Sequence, residues 1–175
     1  HGHRDMEIIS YVIEGALKHE DSTGNKYIVP AGDVQRMSAG RGVMHSEFNA
    51  SNKEKVKFLQ IWIQPNVLGI KPSYEQKNIT QNGPLTPLVN PKGENGALSI
   101  NQDASLSRLI LRKNKRFTLS TENRVGYLHI IKGQLLAGDH KFSAGDGFSV
   151  EPEQALEIVA DSGIEALWFD LPKNN

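Results

Sequence analysis

The feature that most limits what this chain can fold into is its punctuation. Turn-forming residues gather in clusters throughout: EDSTGN (20–25), PAGD (30–33), SAGRG (38–42), NPKGENG (90–96) and SAGDG (143–147). Between the clusters lie short runs rich in β-branched and aromatic residues, among them MEIISYVIEGAL, KYIV, KVKFLQIWIQ, SRLILRKN, RFTLS, VGYLHIIKGQLL, GFSV, ALEIVA and EALWFDL. No window carries a sustained apolar stripe of helical period. Many short strands at this spacing predict an all-β protein built as a sandwich or barrel. At 175 residues, the chain is long enough for one domain or two small ones, each with a real core.

A faint repeat favours two. SYVIEGAL…VPAGDVQRMSAG is echoed by LHIIKGQLL…FSAGDGFSVEPE. In each copy a strand ends at a glycine, Gly15 or Gly133. An Ala-Gly-Asp turn follows, at 31–33 or 144–146, and later an aromatic strand, FLQIWI or ALWFDL. Two tandem β-modules, residues 1–80 and 101–175, account for this better than one meander. The Pro/Gly/Asn-rich stretch 81–100 reads as their connector. The second module lacks the histidine pairs of the first, so it is expected to lack whatever chemistry they carry.

Charge and composition exclude several classes of function. Twenty Lys and Arg balance 20 Asp and Glu, so no basic surface suggests a nucleic-acid partner. The longest apolar runs fall far short of a helical membrane span, and no membrane association is expected. The absence of cysteine rules out disulfides and thiolate metal sites, and suits a reducing, cytoplasmic setting.

Two short motifs carry the candidate chemistry. The chain opens HGHRDME and later reads GVMHSEFN. In a strand, residues i and i+2 share a face. Read as one strand, residues 1–13 align His1, His3, Asp5 and Glu7 above Ile9, Tyr11 and Ile13, a polar mouth over an apolar interior. A second face carries Val43, His45, Glu47 and Asn49. Imidazole and carboxylate ligands suit a divalent transition metal such as Fe, Cu, Ni, Mn or Zn. His19, His129 and His140 have no partner at ligand spacing. Spacing alone leaves two other readings open. The motifs can arise by chance on strand surfaces, and a free α-amine two residues before His3 would chelate Cu(II) or Ni(II) locally.

The longer pattern is more specific. HGHRDMEIISYVIEGAL, VPAGDVQRMSAGRGVMHSEFN, LQIWIQP and PSYEQK together resemble the pirin family of cupins, and most of all its bacterial quercetin 2,3-dioxygenases. The match follows the cupin motifs through His1, His3, Glu7 and Gly15, then Gly24, Pro30, Gly32, His45 and Asn49. It is dense over residues 1–80 and looser beyond. Where the family usually reads HPH, this chain reads HGH.

The resemblance implies a bicupin whose first module binds one divalent transition metal through His1, His3, His45 and Glu47. Glu7 becomes a partner of a ligating imidazole, or the alternative carboxylate ligand, as in many other cupins. Glu47 takes the catalytic role. Ile9, Tyr11, Met44, Phe48 and Trp62 are candidates to line a pocket for a flat aromatic substrate, with ordinary core packing as the competing reading. The implied activity is O2-dependent ring cleavage of a quercetin-type flavonol with release of CO. Two alternatives are a cupin acting on another phenolic, and a metal-binding regulator working through protein contacts. Pirins also carry about fifty residues before their HxH, so the chain is expected to be an N-terminally truncated piece.

Overall fold

The computed structural model describes residues 1–173. The chain divides into two compact units, one of His1–Ile79 with Pro91–Gln102, the other of Thr80–Asn90 with Asp103 onward. Among the described residues there is no helix, and hence none long and apolar enough to cross a membrane.

The first unit begins with β1 (Gly2–His3), β2 (Glu7–Glu14), β3 (Ala16–Asp21) and β4 (Lys26–Pro30). It continues through β5 (Asp33–Ser38), β6 (Val43–Asn49), β7 (Lys57–Ile63) and β8 (Ser73–Asn78). They pair antiparallel into two four-stranded sheets, ordered β1-β6-β3-β4 and β7-β2-β5-β8. The single strand expected over residues 1–13 is therefore two strands in different sheets. The break falls at Asp5, whose φ of 47° lies in the left-handed region. Its backbone N–H donates to Gly40 O at 2.8 Å, and its Oδ1 accepts from Gly69 N at 2.7 Å. Face parity holds only within an unbroken strand, so Glu7 does not share a face with His1 and His3.

Strand β2 is central in its sheet and buried from Glu7 to Val12, on both faces. Ile8 packs with Met37, Ala39 and Val43, while Val12 packs with Leu17 and Val29. Between β2 and β3 the chain turns at Gly15, where φ is +70° and an added Cβ would lie 2.2 Å from Lys55 O. No other residue fits that approach.

The segment 81–100, expected to be a connector, carries two strands that fall in different units. β9 (Leu85–Asn90) belongs to the second unit and β10 (Leu98–Ser99) to the first. Its prolines and glycines mask a buried apolar content that includes Leu88, Val89, Ala97 and Leu98.

The second unit goes on with β11 (Ser105–Leu111), β12 (Arg116–Ser120), β13 (Val125–Lys132) and β14 (Gln134–Ala137). After these come β15 (His140–Ser143), β16 (Gly147–Val150), β17 (Ala155–Ala160) and β18 (Ile164–Leu171). Strands β9, β11, β18, β13 and β16 lie side by side, and β12-β17-β14-β15 form the facing sheet. Leu119, Leu128, Leu135, Ile158 and Trp168 belong to one apolar core. Gly133 repeats the turn of Gly15, with φ +88° and a backbone carbonyl, Gly163 O, 2.1 Å from where a Cβ would stand.

Candidate metal centre

Strand pairing assembles the histidines. β1 runs antiparallel to β6, with Gly2 opposite Met44 and His3 opposite Val43. One step further, His45 N donates to His1 O at 2.9 Å, so His1 stands beside His45. Along β6 the side chains alternate. Val43, His45 and Glu47 turn inward, and Met44, Ser46 and Phe48 turn to solvent.

His45 Nε2 lies 2.8 Å from His1 Nε2 and 3.0 Å from His3 Nε2. The three rings meet edge to face at interplanar angles of 75° to 84°. Two donors bound at right angles to one ion, each about 2.1 Å from it, stand about 3.0 Å apart. His45 Nε2 therefore already stands from both His1 and His3 at the spacing of ligands bound at right angles to one ion, and all three donors lie within 4.8 Å of one another. Three such atoms repel unless protons or a cation lie between them. Burial, only partly offset by the Glu47 charge, lowers the pKa of both His3 and His45. Both are accordingly neutral imidazoles at neutral pH, the form that binds metal.

Glu47 joins through a second cluster. Its carboxylate, His45 and His19 offer ligand atoms within 4.8 Å of one another. Oε1 accepts from Gln35 Nε2 at 2.7 Å and lies 3.5 Å from Ser10 Oγ, while Oε2 accepts from Gln60 Nε2. Gln35 is set in turn by Tyr74, whose hydroxyl donates to Gln35 Oε1 at 2.7 Å, and Gln60 by Trp62, whose indole donates to its Oε1 at 2.9 Å. Burial alone would raise the Glu47 pKa, but His19, His45 and Gln35 outweigh it and leave it lowered. Glu47 is a carboxylate at neutral pH.

The remaining sequence candidates separate. Glu7 is buried, but its carboxylate accepts from Ser38 Oγ at 2.8 Å and Asn101 Nδ2 at 3.1 Å, and no histidine. Ile9 and Tyr11 are buried core residues of β2. Phe48 points away from the histidines, with Lys18 Nζ 5.2 Å from its ring centroid. Met44 and Trp62 are exposed, and Trp62 meets the His3 ring edge to face at 5.1 Å. A cleft of about 360 Å³ lined by His3, Ser22 and Met44 opens beside His3.

Sequence reasoning missed His19, Gln35, Gln60 and Ser10. Nothing in their local spacing marks them. They reach Glu47 through ladder register, with His19 opposite Glu47 and with Ser10 opposite both Gln35 and Gln60.

Residues 1–63 match the family model described as Pirin, and residues 88–171 match the quercetinase C-terminal cupin domain. The quercetin 2,3-dioxygenase of Escherichia coli K12 is 42% identical over 174 residues, spanning 98% of this chain and 75% of that protein. The chain belongs to the pirin family. Its fold is a bicupin, all-β. The crystal structure of YhhW from E. coli superposes with a TM-score of 0.94 at 41% identity, covering 100% of this chain and 75% of that one. A second structure, bacterial pirin YhhW in complex with nickel(II), matches with a TM-score of 0.93 at 41% identity, over 99% of this chain and 76% of that one. In this pirin the donors suit such an ion. They are three imidazoles, of which His3 and His45 are neutral, with the Nε2 atoms of His1 and His3 2.8 and 3.0 Å from that of His45, and a nearby carboxylate.

Proposed function

We propose that this pirin is a metal-dependent dioxygenase of quercetin-type flavonols, with one divalent transition metal held by His1, His3, His45 and Glu47. The observation that carries the reading is the triangle of Nε2 atoms at 2.8 and 3.0 Å from His45, beside a buried carboxylate. The name of the E. coli relative and the nickel(II) in the YhhW structure support it.

When bound, the ion supplies Lewis acidity that lowers the pKa of a hydroxyl brought to it. Glu47 accepts the flavonol 3-hydroxyl proton at its carboxylate. Its depressed pKa makes it a weak base alone, so it depends on that acidification. Gln35 and Gln60 hold the carboxylate in place. Trp62, exposed and edge-on to His3, offers a face on which a flat aromatic ring can stack. Overall, the flavonol consumes one O2, its heterocycle opens, and CO leaves behind a depside.

The test is oxygen uptake and headspace CO with quercetin, using nickel(II)-loaded protein. Equal amounts of O2 consumed and CO released are expected, slowed about 100-fold or more in Glu47→Gln. Uptake without CO would overturn ring cleavage, and no uptake would overturn the dioxygenase reading.

A further inference from the structure

The Ala-Gly-Asp turn that both units share has a second use in the first. In the second unit Asp146 is exposed and bonds within its own turn, its carboxylate accepting from Ser143 N at 2.8 Å. Its counterpart Asp33 is only 8% exposed, and its carboxylate reaches across to β8 instead. Oδ1 accepts from Asn78 Nδ2 at 2.8 Å and Oδ2 from Gln76 Nε2 at 2.9 Å. The turn by itself does not call for a buried carboxylate.

Asp33 borders a cavity of about 390 Å³ where β4 and β8, each the last strand of its sheet, come together. That volume is in the range of small-ligand sites. Tyr27 stacks on Tyr74 at 4.9 Å with 19° between the planes, yet stays 47% exposed, and Ile28 beside it is 58% exposed. Tyr74 and His19 stand between this cavity and the histidine triangle.

The charge in the cavity is uneven. Both donors to Asp33 are neutral amides, and among the described residues no Lys, Arg or His pairs with it. Each oxygen keeps a lone pair for a further donor. Lys77, the one cation of the lining, gives its ammonium to Ala97 O at 3.0 Å. Glu75 adds a second carboxylate, shared with Arg36 at 3.3 Å. An anion held out of water without a counter-charge is costly, and a cation that reaches it relieves that cost. An aromatic face and an aliphatic wall suit an organic cation better than a hydrated metal ion.

We propose that this cavity binds a small organic cation of the primary alkylammonium class. The ammonium donates to Asp33, whose carboxylate Gln76 and Asn78 hold in place, and the alkyl chain lies against Tyr27 and Ile28. The site is separate from the metal centre and does not depend on the proposed function.

The test is a 1H–15N correlation titration of the full chain with n-butylammonium chloride at constant ionic strength. Saturable shifts are expected at Tyr27, Ile28, Asp33, Gln76 and Asn78, with a Kd of about 1–10 mM for so small a cation. n-Butanol, with the same chain and no charge, should bind about 10-fold or more weakly. Asp33→Asn should weaken butylammonium binding about 10-fold or more, and Tyr27→Ala about 2- to 5-fold. No saturable shift at these residues, equal shifts with butanol, sodium or calcium, or unchanged affinity in Asp33→Asn each overturns the proposal. Should Asp33→Asn not fold, butylammonium against butanol on wild type still decides, because the two differ in the charge of the head group.

Discussion

The two units use one ladder plan to opposite ends. The glycine turns at Gly15 and Gly133 align them, and the pairings extend the match. Ser10 stands opposite Gln35 and Gln60, and Leu128, five residues before its glycine as Ser10 is, stands opposite Phe148 and Trp168. His19 stands opposite Glu47, and Ala137 opposite Ile158. His45 then corresponds to Leu156. The whole polar group around Glu47 in the first unit is thus, position for position, Leu128, Phe148, Trp168, Ala137, Ile158 and Leu156 in the second, all within its apolar cluster. Among the described residues, the donor groups able to hold a metal lie in the first unit. The scaffold is indifferent to which it encloses, provided the set is complete: a carboxylate with all its donors, or an aliphatic side chain with none.

The sharpest way to break this comparison is to mix the sets. Ile158→Glu puts the first unit's carboxylate at a fully buried position with no donors. We expect a loss of about 3–5 kcal/mol in chemical denaturation, a large share of the stability of a typical domain. A near-neutral change would mean its core is far looser than it looks.

Next comes Gln35→Leu. It removes a donor from Glu47 and one of the two acceptors within reach of the Tyr74 hydroxyl, the other being Gln76 Oε1. The expected cost is about 1–3 kcal/mol in urea melts. A 10- to 100-fold loss of nickel(II) affinity should accompany it in calorimetry.

Asp21→Asn tests the network by pH. Burial would raise the Asp21 pKa, but bonds from Thr23, His19 and Asn25 hold it well below the usual carboxylate range. A carboxylate whose folded pKa is depressed adds stability that is complete above its unfolded pKa and fades as pH falls through the folded one. Wild type should therefore be more stable than Asp21→Asn at pH 7, with the gap closing as the solution is acidified toward pH 2. A gap independent of pH would show that the charge is not what matters.

The smallest effect is expected at Arg116–Glu157, an exposed pair at 2.5 Å with side chains 65% and 56% accessible. Glu157→Gln, next to Ile158, should change stability by less than about 1 kcal/mol and lose even that in high salt. A larger change would show that position 157 is not the solvated face of β17.

Much of this was legible in the sequence, and its limits have physical causes. Gly15 and Gly133, each ending an apolar strand, announced the two modules because no other residue fits those turns. His45 and Glu47 were legible as a facing pair because β6 is unbroken between them. The break at Asp5 was hidden, since a residue entering the left-handed region leaves no trace in a two-residue period. Strand β8 was hidden as well. SYEQKN is polar because Tyr74 and Gln76 are taken up in side-chain hydrogen bonds rather than apolar packing. His19, Gln35 and Gln60 stayed unmarked because their meaning lies in register across the sheets, which a local reading does not hold.

The most direct test of the account is nickel(II) titration by calorimetry, with elemental analysis, on wild type and on His45→Leu, which copies Leu156 into the first unit. One ion per wild-type chain and none in a folded His45→Leu is the predicted result. An ion retained by His45→Leu, a second ion in wild type, or no ion in either would contradict it.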